Sequence, residues 1–173
     1  MTADISKLEE CIGYSFHNRD LIVKALTHTS YSNERATKHN RLENNQRLEF
    51  LGDSVLSTVI STYLYKHFTE MNEGSMSKLR ASVVCEASLA EIARKICLQE
   101  YLLLGHGEEL SGGREKPSIQ ADAFESLLAA IYLDGGFQSV TDVLLRRLGM
   151  ENYIKKHADT YENTDYKTKL QES

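Results

Sequence analysis

The stretch Gln46-Arg47-Leu48-Glu49-Phe50-Leu51-Gly52-Asp53-Ser54-Val55-Leu56 decides how this chain is read. It predicts the start of a helix that carries two carboxylates, Glu49 and Asp53, inside a largely apolar run. Residues four apart lie one turn above each other on a single helical face, so the two acids point the same way. From Leu48 to Tyr65 there is no Lys, Arg or His, and neither acid has a cationic partner nearby on its own helix. Burying such a pair among Leu48, Phe50, Leu51, Val55 and Leu56 is costly unless another charge neutralises it. A metal ion would do so; the alternative is that the pair lies on a solvated face. Gly52 favours the metal, because glycine costs roughly 1 kcal/mol in a helix interior and usually marks a packing or close-approach point.

A second stretch repeats the pattern. In Ile119-Gln-Ala-Asp122-Ala-Phe-Glu125-Ser-Leu-Leu-Ala-Ala-Ile-Tyr-Leu133, Asp122 and Glu125 share a helical face, and no basic residue occurs between Gln120 and Leu145. Ala121, Ala123, Ser126 and Ala129 leave room for another helix to come close. If the two acidic helices pack together, Glu49, Asp53, Asp122 and Glu125 form an all-oxygen site of the kind that suits a hard cation such as Mg²⁺, with Mn²⁺ a plausible substitute.

The rest of the pattern is helical. Ile5, Leu8 and Ile12 mark a helix that Gly13 can stop, and Asn18 can cap the next, through Leu21, Ile22, Ala25 and Leu26. Residues 32 to 45 read as a loop, Asn72 to Ser75 as a turn, and Gly105 to Pro117 as a second loop. The signature helix is expected to reach about Phe68, and the second acidic helix to end at Gly135-Gly136. No sustained alternation of period two occurs, so the expected class is all-α.

Composition limits the function classes. The chain has 173 residues, 41% of them hydrophobic, enough for one sizeable core plus an appendage. Cys11, Cys85 and Cys97 are odd in number and lack metal-ligand spacing, which reads as reduced thiols of a cytoplasmic protein. The start of the chain has no apolar signal region, and no stretch approaches the ~18 apolar residues of a membrane span. No Ser-His-Asp or Cys-His arrangement competes with the acids, and His28 is expected to make a structural hydrogen bond.

Several motifs in order carry a resemblance. Asn45-Gln46-Arg47-Leu48-Glu49-Phe50-Leu51-Gly52-Asp53-Ser54 resembles the signature of ribonuclease III, the endonuclease family that cleaves double-stranded RNA. Ala25-Leu26-Thr27-His28-Thr29-Ser30-Tyr31, Glu73-Gly74-Ser75-Met76-Ser77-Lys78-Leu79-Arg80-Ala81, and Ala121-Asp122-Ala123-Phe124-Glu125 through Tyr132-Leu133-Asp134 are similar to its further motifs. The likeness covers roughly residues 5 to 148 with consistent spacing.

The resemblance implies a helical endonuclease domain over 1–149, acting as a homodimer. It makes Glu49, Asp53, Asp122 and Glu125 the catalytic and metal-binding carboxylates. The implied reaction is Mg²⁺-assisted hydrolysis of RNA phosphodiesters with two ions ~4 Å apart, leaving 5′-phosphate and 3′-hydroxyl ends with short 3′ overhangs. Gln46 and Glu73 match auxiliary acidic positions, and Gln46 departs from the Glu that many members carry. The residue at Phe50 inserts into the partner subunit in that family; ordinary core packing is the alternative. Arg114 and Lys116 in the glycine-rich loop are candidate RNA contacts or, equally, solvated loop charges. Duplex recognition is expected through A-form shape and 2′-hydroxyls. The net charge of −5 sits awkwardly with RNA binding, although bound metal reverses the sign locally. Residues 150–163 read as a linker and 164–173 resemble the start of a truncated double-stranded-RNA-binding domain, so a truncated chain is expected. A non-catalytic RNA-binding relative that kept the fold is the other reading; loss of the acidic set would be its mark.

Overall fold

A computed structural model describes residues 4–171, with side chains through residue 161. The described part is helical, and among those residues the only β-type pairing is an isolated bridge between Thr27 and Leu103. Short polar residues start the helices by accepting otherwise unpaired N–H groups. Asp4 caps α1 (Ile5–Ile12) through Ser6 N–H at 3.0 Å, and Asn18 caps α2 (Arg19–Ala25) through Asp20 N–H at 3.1 Å. His28 caps α3 (Thr29–Glu34), its Nδ1 accepting from Ser30 N–H at 3.2 Å, which is the structural bond expected of it. Gly13 stops α1 at φ +68°, in the left-handed region that glycine enters without a Cβ clash.

Two long helices organise the molecule. The signature stretch opens α4 (Gln46–His67), and the second acidic stretch lies in α8 (Pro117–Asp142). They pack along each other, and Leu56, Ile60 and Leu64 of α4 and Phe124, Leu127, Leu128 and Ile131 of α8 are buried in one core. Between them in the chain come α5 (Glu73–Val83), α6 (Glu86–Lys95) and α7 (His106–Leu110). Helix α6 covers another side of α8, which explains why α8 is apolar almost all round. Leu8 and Ile12 of α1 and Ile22 of α2 close the core.

Several boundaries differ from expectation. The turn at 72–75 is shorter, because Asn72 accepts from Ser75 N–H at 2.9 Å and α5 begins at Glu73. The glycine-rich loop contains α7 and one 3₁₀ turn, Gly113–Glu115. The second acidic helix breaks at Gly136 as expected, at φ +85°, yet helical backbone resumes directly to Asp142. The segment 150–163, expected as a linker, is the first part of a helix, α9 (Met150–Gln171). Met150, Ile154 and Ala158 recur every fourth residue and are buried in the core, with Tyr153 packed beside them, so this polar stretch docks along one face. The stretch 164–173 continues as helical backbone to Gln171; its side chains, and residues 172 and 173, lie outside the described residues. Among the described residues no helix is long and apolar enough to cross a membrane.

Candidate metal centre

Close contact between α4 and α8 brings the acids together. Gly52 lies directly against the main chain of Glu125, and a Cβ there would come within 2.5 Å of the Glu125 carbonyl carbon. The close-approach role inferred for this glycine is therefore met by a backbone, with Glu49 one turn before it on α4. Carboxylate oxygens of Glu49, Asp122 and Glu125 all lie within 4.8 Å of one another, and each side chain is half-buried. Asp53 stands outside this tight trio, exposed at its edge, but its charge reaches both Glu49 and Glu125.

The electrostatics are those of an uncompensated acidic site. Among the described residues, none of the four side chains has a hydrogen bond or an ion-pair partner. Burial, followed by the charges of Asp53, Asp122 and Glu49, pushes the Glu125 carboxyl up to about 7. Burial, then Asp122 and Asp53, raises Glu49. Burial and then the charge of Glu86 raise Asp122, with His28 opposing. Asp122 and Asp53 make ionisation of Glu49 harder, and Asp53, Asp122 and Glu49 that of Glu125; a divalent cation with oxygen preference would remove that cost while using the converging lone pairs. The donor set fits Mg²⁺ or Mn²⁺ and offers none of the nitrogen or sulfur that softer metals prefer.

The remaining expected residues fall elsewhere. Gln46 is exposed in the first turn of α4, where its N–H donates to Asn44 Oδ1 at 3.1 Å. Glu73 opens α5 and accepts from Ser77 Oγ at 2.8 Å; it borders a separate hollow with Ser61, Tyr65, Met76 and Arg80. Phe50 is 80% exposed, so it does not belong to this chain's own core. It borders a hollow whose apolar side is formed by Leu21, Leu48, Leu51 and Leu133 and whose rim carries Lys24, Glu43 and Arg47.

Lys116 is engaged inside its own loop, and Arg114 both inside it and with the carbonyls of Gln99 and Leu102 just before it. The Arg114 guanidinium pairs with both Glu109 oxygens at 2.8 and 2.6 Å and donates to the Leu102 carbonyl at 3.0 Å. Lys116 Nζ pairs with Glu108 at 2.6 Å. In this conformation both cations serve loop structure. Sequence reasoning missed Glu86, whose charge acts on Asp122 from the first turn of α6. Only the fold brings those helices together, and no local pattern marks it. Asn45 and Ser126, both buried beside the site, were read only as motif and small-residue filler.

Comparison with known proteins points one way. A family model described as Ribonuclease-III-like matches residues 18–151. The chain is 51% identical to Ribonuclease 3 of Caldanaerobacter subterraneus subsp. tengcongensis, over 97% of this chain and 72% of that protein. It is 46% identical to Ribonuclease 3 of Oceanobacillus iheyensis, over 98% of this chain and 72% of that protein. A solved nuclease domain of ribonuclease III from Campylobacter jejuni, described for structural flexibility in a region involved in dimer formation, superposes with a TM-score of 0.76 at 43% identity, covering 84% of this chain and 96% of that one.

Proposed function

The chain belongs to the ribonuclease III family, and from that premise we propose that it hydrolyses phosphodiester bonds of double-stranded RNA at the Glu49–Asp53–Asp122–Glu125 site. The observation that carries the assignment of the site is the convergence of Glu49, Asp122 and Glu125 oxygens within 4.8 Å, with no ion pair to any of the three among the described residues. A protein that had kept only the fold for binding would have no reason to maintain so unfavourable a cluster, which speaks against the non-catalytic alternative.

Glu49, Asp122 and Glu125 would hold Mg²⁺, with Asp53 completing the set from the exposed edge. When bound, the metal supplies a water acidic enough to attack phosphorus at neutral pH and positive charge for the departing 3′-oxygen. The chain's own contribution is placement and proton handling. Burial and the neighbouring acids raise the Glu125 carboxyl to about 7, so a bound cation would favour its deprotonated form. Asp53, facing solvent, is the carboxylate best placed to meet an incoming phosphodiester or its water. Products would carry 5′-phosphate and 3′-hydroxyl ends.

The working unit in this proposal is a homodimer. Phe50, 80% exposed beside a hollow it shares with Leu21, Leu51 and Leu133, forms an apolar knob that a second copy would cover. Gln46 borders the same hollow, and Glu73 stands in another; both are proposed as auxiliary groups that order solvent or substrate. Three unpaired, exposed cysteines fit a reducing cytoplasm.

The test is direct. A long, perfectly paired RNA duplex is incubated with the chain at low salt, with Mg²⁺ or with chelator, and product ends are mapped. Mg²⁺-dependent staggered cuts with 5′-phosphates are expected. Cutting that persists in chelator would overturn the metal assignment, and cutting of single strands alone would overturn the substrate class. If a folded dimer does not cut, Gln46→Glu shows whether that position disables the site.

A further inference from the structure

We infer that Asn45 and Ser126 are positioning residues of the carboxylate site, a role that rests on the metal-dependent reading above. Neither is a candidate ligand. Asn45 is 4% exposed and Ser126 is fully buried, so both are polar groups placed where only a specific hydrogen bond repays their desolvation.

Asn45 ties three segments together at one residue. Its main-chain N–H donates to the Thr27 carbonyl at 2.9 Å, and its Nδ2 donates to the Ala25 carbonyl at 3.2 Å. Both bonds anchor the start of α4 to the end of α2. Its own carbonyl accepts the N–H of Glu49 at 2.8 Å, a bond of the first turn of α4, and also the Ser126 hydroxyl of α8 at 3.1 Å. That hydroxyl lies 2.8 Å from the carbonyl of Asp122 as well. A hydroxyl has one proton, so Ser126 shares it between the two carbonyls. Each carbonyl leads to a metal-ligand candidate: Asn45 holds the amide of Glu49, and the other carbonyl belongs to Asp122 itself.

A single buried side chain thus links the backbones that carry two of the three converging acids. The second link is the Gly52 main chain against Glu125. On α4 these two fixed points lie either side of Glu49; on α8 they fall on the neighbouring residues Ser126 and Glu125. Two separated contacts prevent both sliding and rotation. A slip of one residue along a helix advances it about 1.5 Å and turns it about 100°, which would carry Glu49 out of reach of the other oxygens. Ligand sets need to be held within about 0.5 Å, so the register of α4 on α8 is a requirement of the site itself.

A role confined to packing would cost stability and leave the metal affinity of the folded protein unchanged. The experiment therefore reads metal binding without RNA. Mn²⁺ alone is titrated calorimetrically into the parent chain, Ser126→Ala and Asn45→Ser, at a temperature where circular dichroism shows each to be folded. Replacing partners outside the ligand set usually costs about 10–100-fold in metal affinity or activity; as Ser126 acts on the backbone, about 3–10-fold weaker Mn²⁺ binding is expected for Ser126→Ala. Cleavage should show the matching split: the Mg²⁺ concentration for half-maximal rate rises by a similar factor, while the rate at saturating Mg²⁺ recovers to within about twofold of the parent. Parental Mn²⁺ affinity in folded Ser126→Ala overturns the inference, and that variant alone decides it if Asn45→Ser does not fold. A parent chain that binds no Mn²⁺ in the millimolar range overturns the metal reading, and this role with it.

Discussion

The main chain of Gly52 rests against the main chain of Glu125, so closely that a Cβ on Gly52 would overlap the Glu125 carbonyl oxygen. The contact joins the helix bearing Glu49 and Asp53 to the helix bearing Glu125, and no flexible side chain there can move aside. Gly52→Ala must push the helices apart. Overpacking of this kind costs about 1–3 kcal/mol, against a gain of about 1 kcal/mol from alanine's better helix propensity. A lower urea midpoint and weakened Mn²⁺ binding are expected. A midpoint above the parent's would mean the helices do not approach as described.

Glu125 gives the metal-free protein a pH dependence opposite to that of most carboxylates. Burial first, then the neighbouring acids, raises its carboxyl to about 7, whereas an unfolded glutamate titrates near ~4.3. Between those values the folded chain keeps a proton that the unfolded chain has lost, so this group makes stability fall as pH rises through the interval. Metal binding needs the deprotonated form and should strengthen as pH rises to about 7, then level off. Glu125→Gln removes the titration and the ligand together. In chelator its urea midpoint should exceed the parent's at about pH 8 and converge with it only below about pH 4, while cleavage is lost. A parent–variant difference that is flat with pH would show that the carboxyl is not raised.

The division between what was legible in the sequence and what was not follows the range of each interaction. Gly13 and Asn18 act on backbone groups close by in the chain, so the helix stop and the cap could be read directly, whereas Asn72–Ser75 read as a turn although Asn72 caps α5. The paired acids of α4 and α8 were legible because helical spacing alone puts each pair on one face. Helix α9 was hidden because, among its described side chains, the few apolar anchors Met150, Tyr153, Ile154 and Ala158 sit in an otherwise polar run. Arg114 and Lys116 looked free because the acids that take them, Glu109 and Glu108, are chosen by how the loop folds back on itself. Glu86 and the link from Asn45 to Ser126 span distant parts of the chain, and nothing local announces them.

Phe50 tests the assembly. A side chain 80% exposed contributes little to the core of its own chain, so Phe50→Ala should leave the melting temperature of the monomer nearly unchanged. Losing a large apolar group from the centre of an interface typically costs about 2 kcal/mol or more of association. Sedimentation velocity should therefore show the variant shifting from dimer toward monomer at micromolar concentration. An unaltered dimer would place the contact on another face.

Asp134 tests how the start of the chain is fastened to α8. Its carboxylate accepts from the Tyr14 hydroxyl at 2.6 Å and from the amides of His17 at 2.9 Å and Asn18 at 2.8 Å, with 3% of its side chain exposed. Burial opposes its charge, but the hydrogen bonds from Tyr14, Asn18 and His17 outweigh that and hold the carboxyl well below its ordinary range. Its stabilisation is thus complete above the unfolded value near ~4 and is lost only as pH falls well below it. Asp134→Ala leaves the part-buried Tyr14 hydroxyl short of its partner, while the exposed His17 and Asn18 amides can turn to water, and should cost about 1–2 kcal/mol at neutral pH, with the deficit shrinking in acid. Parental stability at pH 7 would refute the clasp.

Cys97 is the one described residue other than glycine at positive φ, +54°, where it starts the short 3₁₀ turn Leu98–Tyr101. An L-residue in the left-handed region pays roughly 1–2 kcal/mol for the approach of its Cβ to the following carbonyl. Glycine removes that strain but loses about 0.5–1 kcal/mol through its freer unfolded chain. The side chain is exposed, so little packing is forfeited. Cys97→Gly should accordingly gain about 0.5 kcal/mol, a rise in melting temperature of about 1–2 °C. Cys97→Ala, which keeps the Cβ, should stay at the parent value and so separates backbone strain from loss of the thiol. Equal shifts in the two variants would mean that the thiol, and not the backbone, decides stability at this turn.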